Sequence, residues 1–356
     1  MSHILIDHLT QAASFYRGQL RASPRAVAYL KSRGLRGDIA ARYGLGYAPA
    51  SFQALREAFQ NYNDRALEKA GLVAVNDGGR RYDRFRDRIM FPILDDAGSV
   101  IGFGGRVLEG DGPKYLNSPE TEVFQKGRVL FGMTQAAEAI AATGTAYVVE
   151  GYLDVVSLAQ HGVQNAVVTL GTATTGQHVE RLLGLAKRVI FCFDGDDAGR
   201  RAAARALDVC LPHVTDTADV GFLFLPRDHD PDSYVRAKGG DAFNDLALEA
   251  STLEGFFLAN AMQGCQLEYA EGRARLVATA APRLQQINAP AMLRRILAAI
   301  AAPTKFSVGE LIDLCGLEKT CLQLLTVNSF MVEFNSSAAD GRPMNPGNNC
   351  EQTVGR

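Results

Sequence analysis

The sequence predicts a mixed fold, with a parallel α/β sheet flanked by helices, an α+β region before it and a small helical region after it. Apolar runs alternate with helical patterns between about residues 145 and 225, which is typical of parallel strands joined by helical crossovers. Residues 88–108 contain two β-like runs joined by a turn. We therefore expect an α+β subdomain at 1–130, a sheet domain at 144–232, a helical subdomain at 233–325 and a disordered tail at 326–356.

The composition is that of an ordinary globular protein. The 356 residues carry a formal net charge of -2, so the overall charge does not indicate a nucleic-acid-binding protein. A local basic groove is nevertheless compatible with this net charge. No apolar run approaches the roughly 20 residues of a membrane span, so we expect a cytoplasmic protein without a membrane partner. The six cysteines show no zinc-ligand spacing, so we expect neither zinc nor a disulfide framework.

The sheet domain is predicted from four apolar runs and the helical patterns between them. The runs are continuously apolar, as expected for strands that are covered on both faces. The predicted strands are 146–150, 166–170, 188–193 and 220–225, and the predicted helices are 153–161, 177–185 and 198–214.

Acidic residues follow three of the four predicted strands. Glu150 ends the first strand, Asp194 and Asp196 follow the third, and Asp230 and Asp232 follow the fourth. Parallel sheets bind ligands at the carboxyl ends of their strands, so these side chains should face one crevice. Crowded carboxylates suit a hard divalent cation such as magnesium or manganese, which typically works on phosphate groups. The alternative is that these acids only cap helices or stabilise turns. That alternative would explain acidic residues at one strand end, but it explains three such ends in one sheet poorly.

Two other loop types are excluded for the segments after the second and third strands. A calcium loop starting at Asp194 needs a bidentate glutamate at its twelfth position, where this sequence has Arg205. The glycine- and threonine-rich segment at 171–177 has the spacing of a phosphate loop, but Gln177 replaces the required lysine. Asp197 adds a further charge whose role the sequence leaves open.

A basic stretch precedes the sheet domain. Residues 80–90 hold five arginines, and Arg106 and Lys114 follow. Cations beside an acidic metal crevice suit a polyanionic template and nucleoside triphosphates, and Tyr115 and Asn117 among them can stack on or hydrogen-bond to a single strand. Taken alone, the stretch fits a solvated, internally paired charged face better than a binding surface.

Seven segments resemble DnaG-type bacterial primases, and one of them is residues 170–175 (LGTATT) at the end of the second predicted strand. Residues 148–154, 193–199 and 230–232 (VVEGYLD, FDGDDAG and DPD) look like the three acidic motifs of the TOPRIM domain. The likeness extends upstream to 82–88, to 102–108 and to 113–121, and the last of these, PKYLNSPET, is the most particular to primases. The resemblance covers roughly residues 5–300.

The resemblance implies a nucleotidyltransferase that makes short RNA primers on single-stranded DNA from ribonucleoside triphosphates. It implies magnesium, with manganese as an alternative, held by the five acids at the strand ends. Glu150, Asp194 and Asp196 would be catalytic, with Glu150 either a ligand or a proton acceptor, and Asp154 would support them. The predicted residues of the nucleotide and template groove are Arg33, Arg84, Arg106, Lys114, Tyr115, Asn117 and Lys126.

Two expectations concern the ends of the chain. Family members usually begin with a zinc ribbon and finish with a helical domain that binds the replicative helicase. We recognise neither here, and so expect a fragment or a diverged relative, although the helicase remains an expected partner at the bacterial replication fork. A TOPRIM nuclease or a non-catalytic nucleic-acid-binding module is the alternative function.

Overall fold

Two sheets and the helices that pack on them organise the chain. The computed structural model describes residues 2–109, 112–171 and 173–317, so the predicted tail lies outside the described residues. The described residues contain no helix that is both long enough and apolar enough to cross a membrane.

The N-terminal part is built around a four-stranded antiparallel sheet, and helices pack on both of its faces. Ser23 caps the second helix, whose first residue is Pro24, a position where the missing N–H costs nothing. The sheet order is β1-β4-β5-β6, and β2 and β3 form a separate hairpin. The elements are α1 Ser2–Ala22, α2 Pro24–Ser32, α3 Gly37–Arg42, β1 Gly46–Ala48, a 3-10 turn Ala54–Glu57, α4 Arg65–Lys69, β2 Val73–Val75, β3 Arg81–Asp83, β4 Arg88–Leu94, β5 Val100–Val107 and β6 Tyr115–Asn117.

The second sheet is parallel, as predicted, with one short antiparallel edge strand. Its order is β11-β10-β9-β7-β8, and its third predicted strand, Arg188–Phe193, has the predicted bounds. The second strand ends at Val168, two residues earlier than predicted. The elements are α5 Met133–Thr143, β7 Thr145–Val149, α6 Tyr152–Gln160, β8 Ala166–Val168, α7 Gly176–Leu185, β9 Arg188–Phe193, α8 Asp197–Cys210, β10 Asp219–Phe224, α9 Pro231–Lys238, α10 Gly240–Leu248 and β11 Ser251–Thr252.

Four further helices pack against α5, α7 and α8 on one face of the parallel sheet. Pro290 stands at a helix start, while Pro282 and Pro303 lie inside helices. Each internal proline lacks the N–H that would donate to the carbonyl oxygen four residues earlier, so each helix loses one backbone hydrogen bond there. The helices are α11 Leu253–Ala261, α12 Ala270–Leu284, α13 Pro290–Thr304 and α14 Val308–Leu314.

An aromatic cluster joins the two sheets. Phe91 of β4 stacks on Tyr152 of α6 with ring centroids 5.0 Å apart, and Phe131 packs edge-on against Tyr152 at 4.8 Å. The same buried cluster contains residues of the antiparallel sheet, of the parallel sheet and of α2, α3, α6 and α9. This shared core fixes the N-terminal sheet over the carboxyl edge of the parallel sheet.

We expect Phe91→Ala to lower the free energy of unfolding by about 3–5 kcal/mol, because it empties a fully buried ring site. Chemical denaturation measures this loss. Tyr269→Ala is the matched control, since that ring is exposed and its removal should change stability by less than about 0.5 kcal/mol. Equal effects of the two substitutions would contradict a shared core between the sheets.

Candidate active site

The parallel register brings the acidic strand ends together. β9 pairs with both β7 and β10, so Glu150, Asp194 and the loop after β10 emerge at one sheet edge. A crevice of about 700 Å³ opens there, and Glu150 lies in an adjoining cavity of about 260 Å³ together with Arg205. The crevice is lined by Arg33, Asp194, Gly195, Asp196, Arg227, Asp228, His229, Asp230, Ser233 and Arg236.

Two glycines let the acidic loop fold tightly at the end of β9. A Cβ atom at Gly195 would collide with the carbonyl oxygen of Leu225, and one at Gly199 would collide with the carbonyl oxygen of Asp194. The Asp-Gly-Asp segment can therefore lie against the loop after β10 only because these positions lack side chains. The spacing of acids and glycines in the sequence follows from this close approach.

Two of the acids also cap helices. Asp196 accepts a hydrogen bond from the Gly199 N–H at 2.7 Å and begins α8. Asp230 accepts one from the Ser233 N–H at 2.7 Å and caps α9, so both residues are helix caps at the edge of the crevice. Asp197 lies in the exposed first turn of α8, where its charge complements the positive helix end.

Proximity of like charges perturbs the carboxyl groups of the crevice. Glu150 is exposed by area, yet the surrounding protein removes enough water that desolvation, followed by the charges of Asp194 and Asp196, raises its pKa to about 7. Desolvation and then the charges of Asp230 and Asp196 raise the pKa of Asp194, an effect that Lys114 opposes. These carboxylates therefore destabilise one another in the absence of a neutralising cation.

Asp230 and Asp154 respond to their surroundings in opposite directions. Burial disfavours the Asp230 charge, but hydrogen bonds from Ser233 and the charges of Arg33 and Arg236 outweigh it and lower the Asp230 pKa. Burial of Asp154, with the charges of nearby aspartates, raises the Asp154 pKa well above its usual range. Asp154 lies beneath the crevice, where its Oδ1 accepts a hydrogen bond from the Asp232 N–H.

Asp232 is engaged by two guanidinium groups. Only 1% of it is exposed, Arg33 donates to its Oδ2, and Arg236 donates to its Oδ1 at 2.9 Å. Arg33 follows α2 and Asp232 lies on α9, so this ion pair ties the two subdomains together at the edge of the crevice. Asp232 as a metal ligand stays a prediction, and it would require exchange of these partners.

The predicted groove cations occupy different positions. Lys114 is exposed, and its charge acts on Asp194. Arg106 donates to the hydroxyl oxygens of Tyr29 and Tyr115, the latter at 2.7 Å, and its guanidinium group lies over both rings. Arg84 is half-buried, with a long contact of 3.5 Å to the Asn117 carbonyl oxygen.

Asn117 and Lys126 lie at the contact between the two sheets. Asn117 donates to the Leu170 carbonyl oxygen at 2.7 Å and accepts a hydrogen bond from the Tyr152 hydroxyl at 2.8 Å. Lys126 is half-buried, and its carbonyl oxygen is 2.9 Å from Nε2 of buried His178. Both residues therefore connect β6 and the following loop to the segment after β8.

The structure contains an exposed aromatic platform, formed by Phe52 and Tyr82 with Arg86, that the sequence did not predict. Phe52 is 58% exposed, and the Arg86 guanidinium lies 4.9 Å from its ring centroid and 5.0 Å from that of Tyr82. Arg80 approaches the same ring at 6.0 Å. Exposed rings with arginines are the surface on which single-strand bases stack. Phe52 lies in a loop and belongs to no recognisable sequence motif. Only the fold shows that its ring contacts arginines of the hairpin region.

Comparisons with known proteins agree along the chain. Residues 15–137 match the N-terminal domain of the DNA primase catalytic core, and residues 147–235 match a Toprim-like domain. A DNA primase of Neisseria meningitidis is 52% identical over 281 residues, covering 79% of this chain and 48% of the relative. The crystal structure of a DNA primase domain from Pseudomonas aeruginosa superposes with a TM-score of 0.84 at 45% identity, covering 88% of this chain and 99% of that one.

The chain belongs to the family of DnaG-type primase catalytic cores. A DnaG primase catalytic domain solved with single-stranded DNA bound is also similar, at 40% identity and a TM-score of 0.81 over 87% of this chain and 98% of that one. The chain spans about half the length of the curated relatives it matches.

One expectation about this primase core is wrong. Residues 255–307 match the DnaB-helicase binding domain of primase, whereas no such domain was recognised in the sequence. The match covers α11, α12 and α13. These helices carry alanine and leucine at helical spacing, which many helical folds share, so no motif distinguished them.

Primase and Toprim cores are divalent-metal dependent as families, and the donors in this crevice fit such an ion. The crevice offers carboxylate oxygens, the ligands of hard cations, and the pKa of Asp194 is raised by desolvation and then by neighbouring negative charge, which a cation would neutralise. Among the described residues no group of three or more His, Cys, Asp or Glu side chains forms a ready-made metal cage.

We expect Gly195→Ala to lower the free energy of unfolding by about 1–3 kcal/mol, because the new methyl group meets a backbone carbonyl that cannot move freely. Gly184→Ala is the control, since nothing lies within 4 Å of its Cβ position on α7 and alanine favours helix. Thermal unfolding should separate the two variants, and equal stability would contradict the tight loop.

Proposed function

We propose that this chain is a DNA-directed RNA polymerase that synthesises short RNA primers on single-stranded DNA. The observation that carries the proposal is the facing of unlike charges across one crevice. Asp194, Asp196 and Asp230 lie on the parallel-sheet side, and Arg33 and Lys114 come from the N-terminal subdomain. Nucleotidyl transfer requires acidic side chains that bind a metal ion and, opposite them, basic side chains that bind phosphate groups.

Asp194, Asp196 and Asp230 would hold magnesium, with manganese as a substitute, and Glu150 and Asp232 are further candidate ligands. When bound, the ion neutralises phosphate charge and lowers the pKa of the attacking 3′-hydroxyl. Glu150, whose pKa near 7 suits proton transfer at neutral pH, would otherwise accept the hydroxyl proton. The hydroxyl oxygen then forms a bond to the α-phosphorus as pyrophosphate leaves.

Lys114 and Arg106 would bind the triphosphate or the template backbone. Arg106 is well placed for this, because two tyrosine hydroxyls already hold its guanidinium group in position. Arg33, Arg84, Tyr115, Asn117 and Lys126 would line the same groove, in part by holding its walls together.

The proposed partners are the template, ribonucleoside triphosphates and the nascent primer. The region matching a helicase-binding domain supports contact with a replicative helicase through α11–α13. The protein would then act in the bacterial cytoplasm at the replication fork.

Incubation of single-stranded DNA with labelled ribonucleotides and magnesium or manganese tests the proposal. We expect short labelled RNA from the unaltered protein and none from Asp194→Ala. The variant should remain folded, with unchanged or higher stability, because it removes a carboxylate that its neighbours destabilise. Asp7→Ala is the control, since Asp7 is exposed on α1.

Three results would contradict the proposal in different ways. Template cleavage without synthesis would indicate a nuclease, and binding without either reaction would indicate a non-catalytic module. Full synthesis by the Asp194→Ala variant would refute the assignment of the metal site.

We expect Phe52→Ala to weaken single-stranded DNA binding by about tenfold, since stacking of one base on a ring contributes about 1–3 kcal/mol. Fluorescence anisotropy of a labelled oligonucleotide measures the change. Tyr269→Ala removes a ring of similar exposure on the helical side and should leave affinity unchanged. Equal affinities of both variants would exclude the platform from the template path.

A further inference from the structure

A second pocket lies between α1, α2 and α3, outside the acidic crevice. We call it the leucine pocket, because its floor contains Leu20, Leu30, Leu35 and Leu45, all buried. Its volume is about 200 Å³. Val27, Ala40 and Ala41 complete its aliphatic surface. The pocket is large enough to admit one or two aliphatic side chains from a partner.

Four cations surround this aliphatic floor. They are Arg17, Arg21, Lys31 and Arg36, and all four are exposed. Arg36 pairs with Asp38 at 3.0 Å, whereas the other three have no carboxylate within ion-pair distance in the described part of the chain. The described residues that line the pocket include no carboxylate and no aromatic ring. The pocket therefore combines an apolar centre with a positive rim, in which only Arg36 has a carboxylate partner among the described residues.

Helix α2 separates the leucine pocket from the proposed template groove. Arg25 and Tyr29, on one of its faces, contact Asp87 and Arg106 of the antiparallel sheet. Residues 27, 30 and 31, on its other face, line the pocket. An occupant of the pocket would thus bind behind the groove without covering it.

We propose that the leucine pocket binds an acidic peptide segment of another protein that inserts an aliphatic side chain between α1, α2 and α3. The positive rim selects for carboxylates, and the leucine floor selects for a leucine, isoleucine or valine. A nucleic acid would satisfy the rim but would leave the floor unused, because its bases require aromatic or hydrogen-bonding partners. The small size of the pocket indicates a transient contact.

Fluorescence anisotropy with the full chain and a labelled synthetic peptide tests this proposal. The peptide carries aspartates on both sides of one leucine. We expect saturable binding that weakens at least about tenfold when the peptide leucine becomes serine, because the apolar burial is lost. Replacing the aspartates by asparagines should weaken binding to a similar degree.

Variants of the protein locate the binding site. The double variant Arg21→Glu and Lys31→Glu should weaken binding about tenfold by reversing two rim charges. Ala41→Phe should do the same by filling the pocket while keeping every cation. Arg65→Glu is the control, since Arg65 is exposed on α4 outside the pocket. These substitutions lie outside the acidic crevice, so primer synthesis should be unchanged.

Specific results of the same assay would contradict the proposed peptide site. Equal binding of the leucine and serine peptides, or unchanged binding to the Ala41→Phe variant, would overturn the proposal. Displacement of the peptide by a short single-stranded oligonucleotide would instead assign the rim to nucleic acid. Failure of primer synthesis would leave these results unaffected, because the peptide assay does not depend on catalysis.

Discussion

Repulsion among carboxylates at one edge of a parallel sheet is the constraint around which the rest of this structure is arranged. The register of β7, β9 and β10 forces Glu150 and Asp194 to the same edge, and the loop after β10 adds Asp230. Desolvation, and after it the charges of the neighbouring aspartates, raises the pKa of both Glu150 and Asp194. Carboxylates that are kept at such a cost in free energy are typical of functional sites, since neutral residues there would be more stable.

The surrounding protein stabilises these charges unequally. Asp230 receives two hydrogen bonds from Ser233 and the field of two arginines, so it stays ionised. Asp154, buried below, receives one backbone hydrogen bond from Asp232, but burial and the charges of the nearby aspartates outweigh it and raise the Asp154 pKa. One small volume therefore contains a carboxyl group that favours the charged form and another that favours the neutral form. Such a division is common where phosphate chemistry and proton transfer share a site.

Sequence patterns predicted the parallel sheet and its acidic edge because both follow local rules. The strands are continuous apolar runs, and the acids follow them directly in the sequence. The hydrophobic pattern and the positions of the acids were therefore sufficient to predict both features. Phe52 could not be predicted, because its arginine partners are about thirty residues away and meet it only through the antiparallel sheet. The same limit applies to Arg33, whose contact with Asp232 spans 199 positions and has no periodic signature. Long-range pairing of this kind is determined by the fold and not by neighbouring residues.

The arginines between residues 80 and 90 show why the number of charges alone could not distinguish a binding surface from a solvated, internally paired face. Arg88 is buried and donates to the carbonyl oxygens of Gly105 and Pro113 at 2.9 Å, so it fixes the backbone that presents Lys114 to the crevice. Arg86 instead lies between two rings near the surface. The two arginines stand two positions apart in the sequence, yet Arg88 is buried and fixes the backbone, whereas Arg86 lies against two rings near the surface. Burial separates the two arginines, and the local sequence carries no signal of that difference because it depends on how the hairpin packs in the fold.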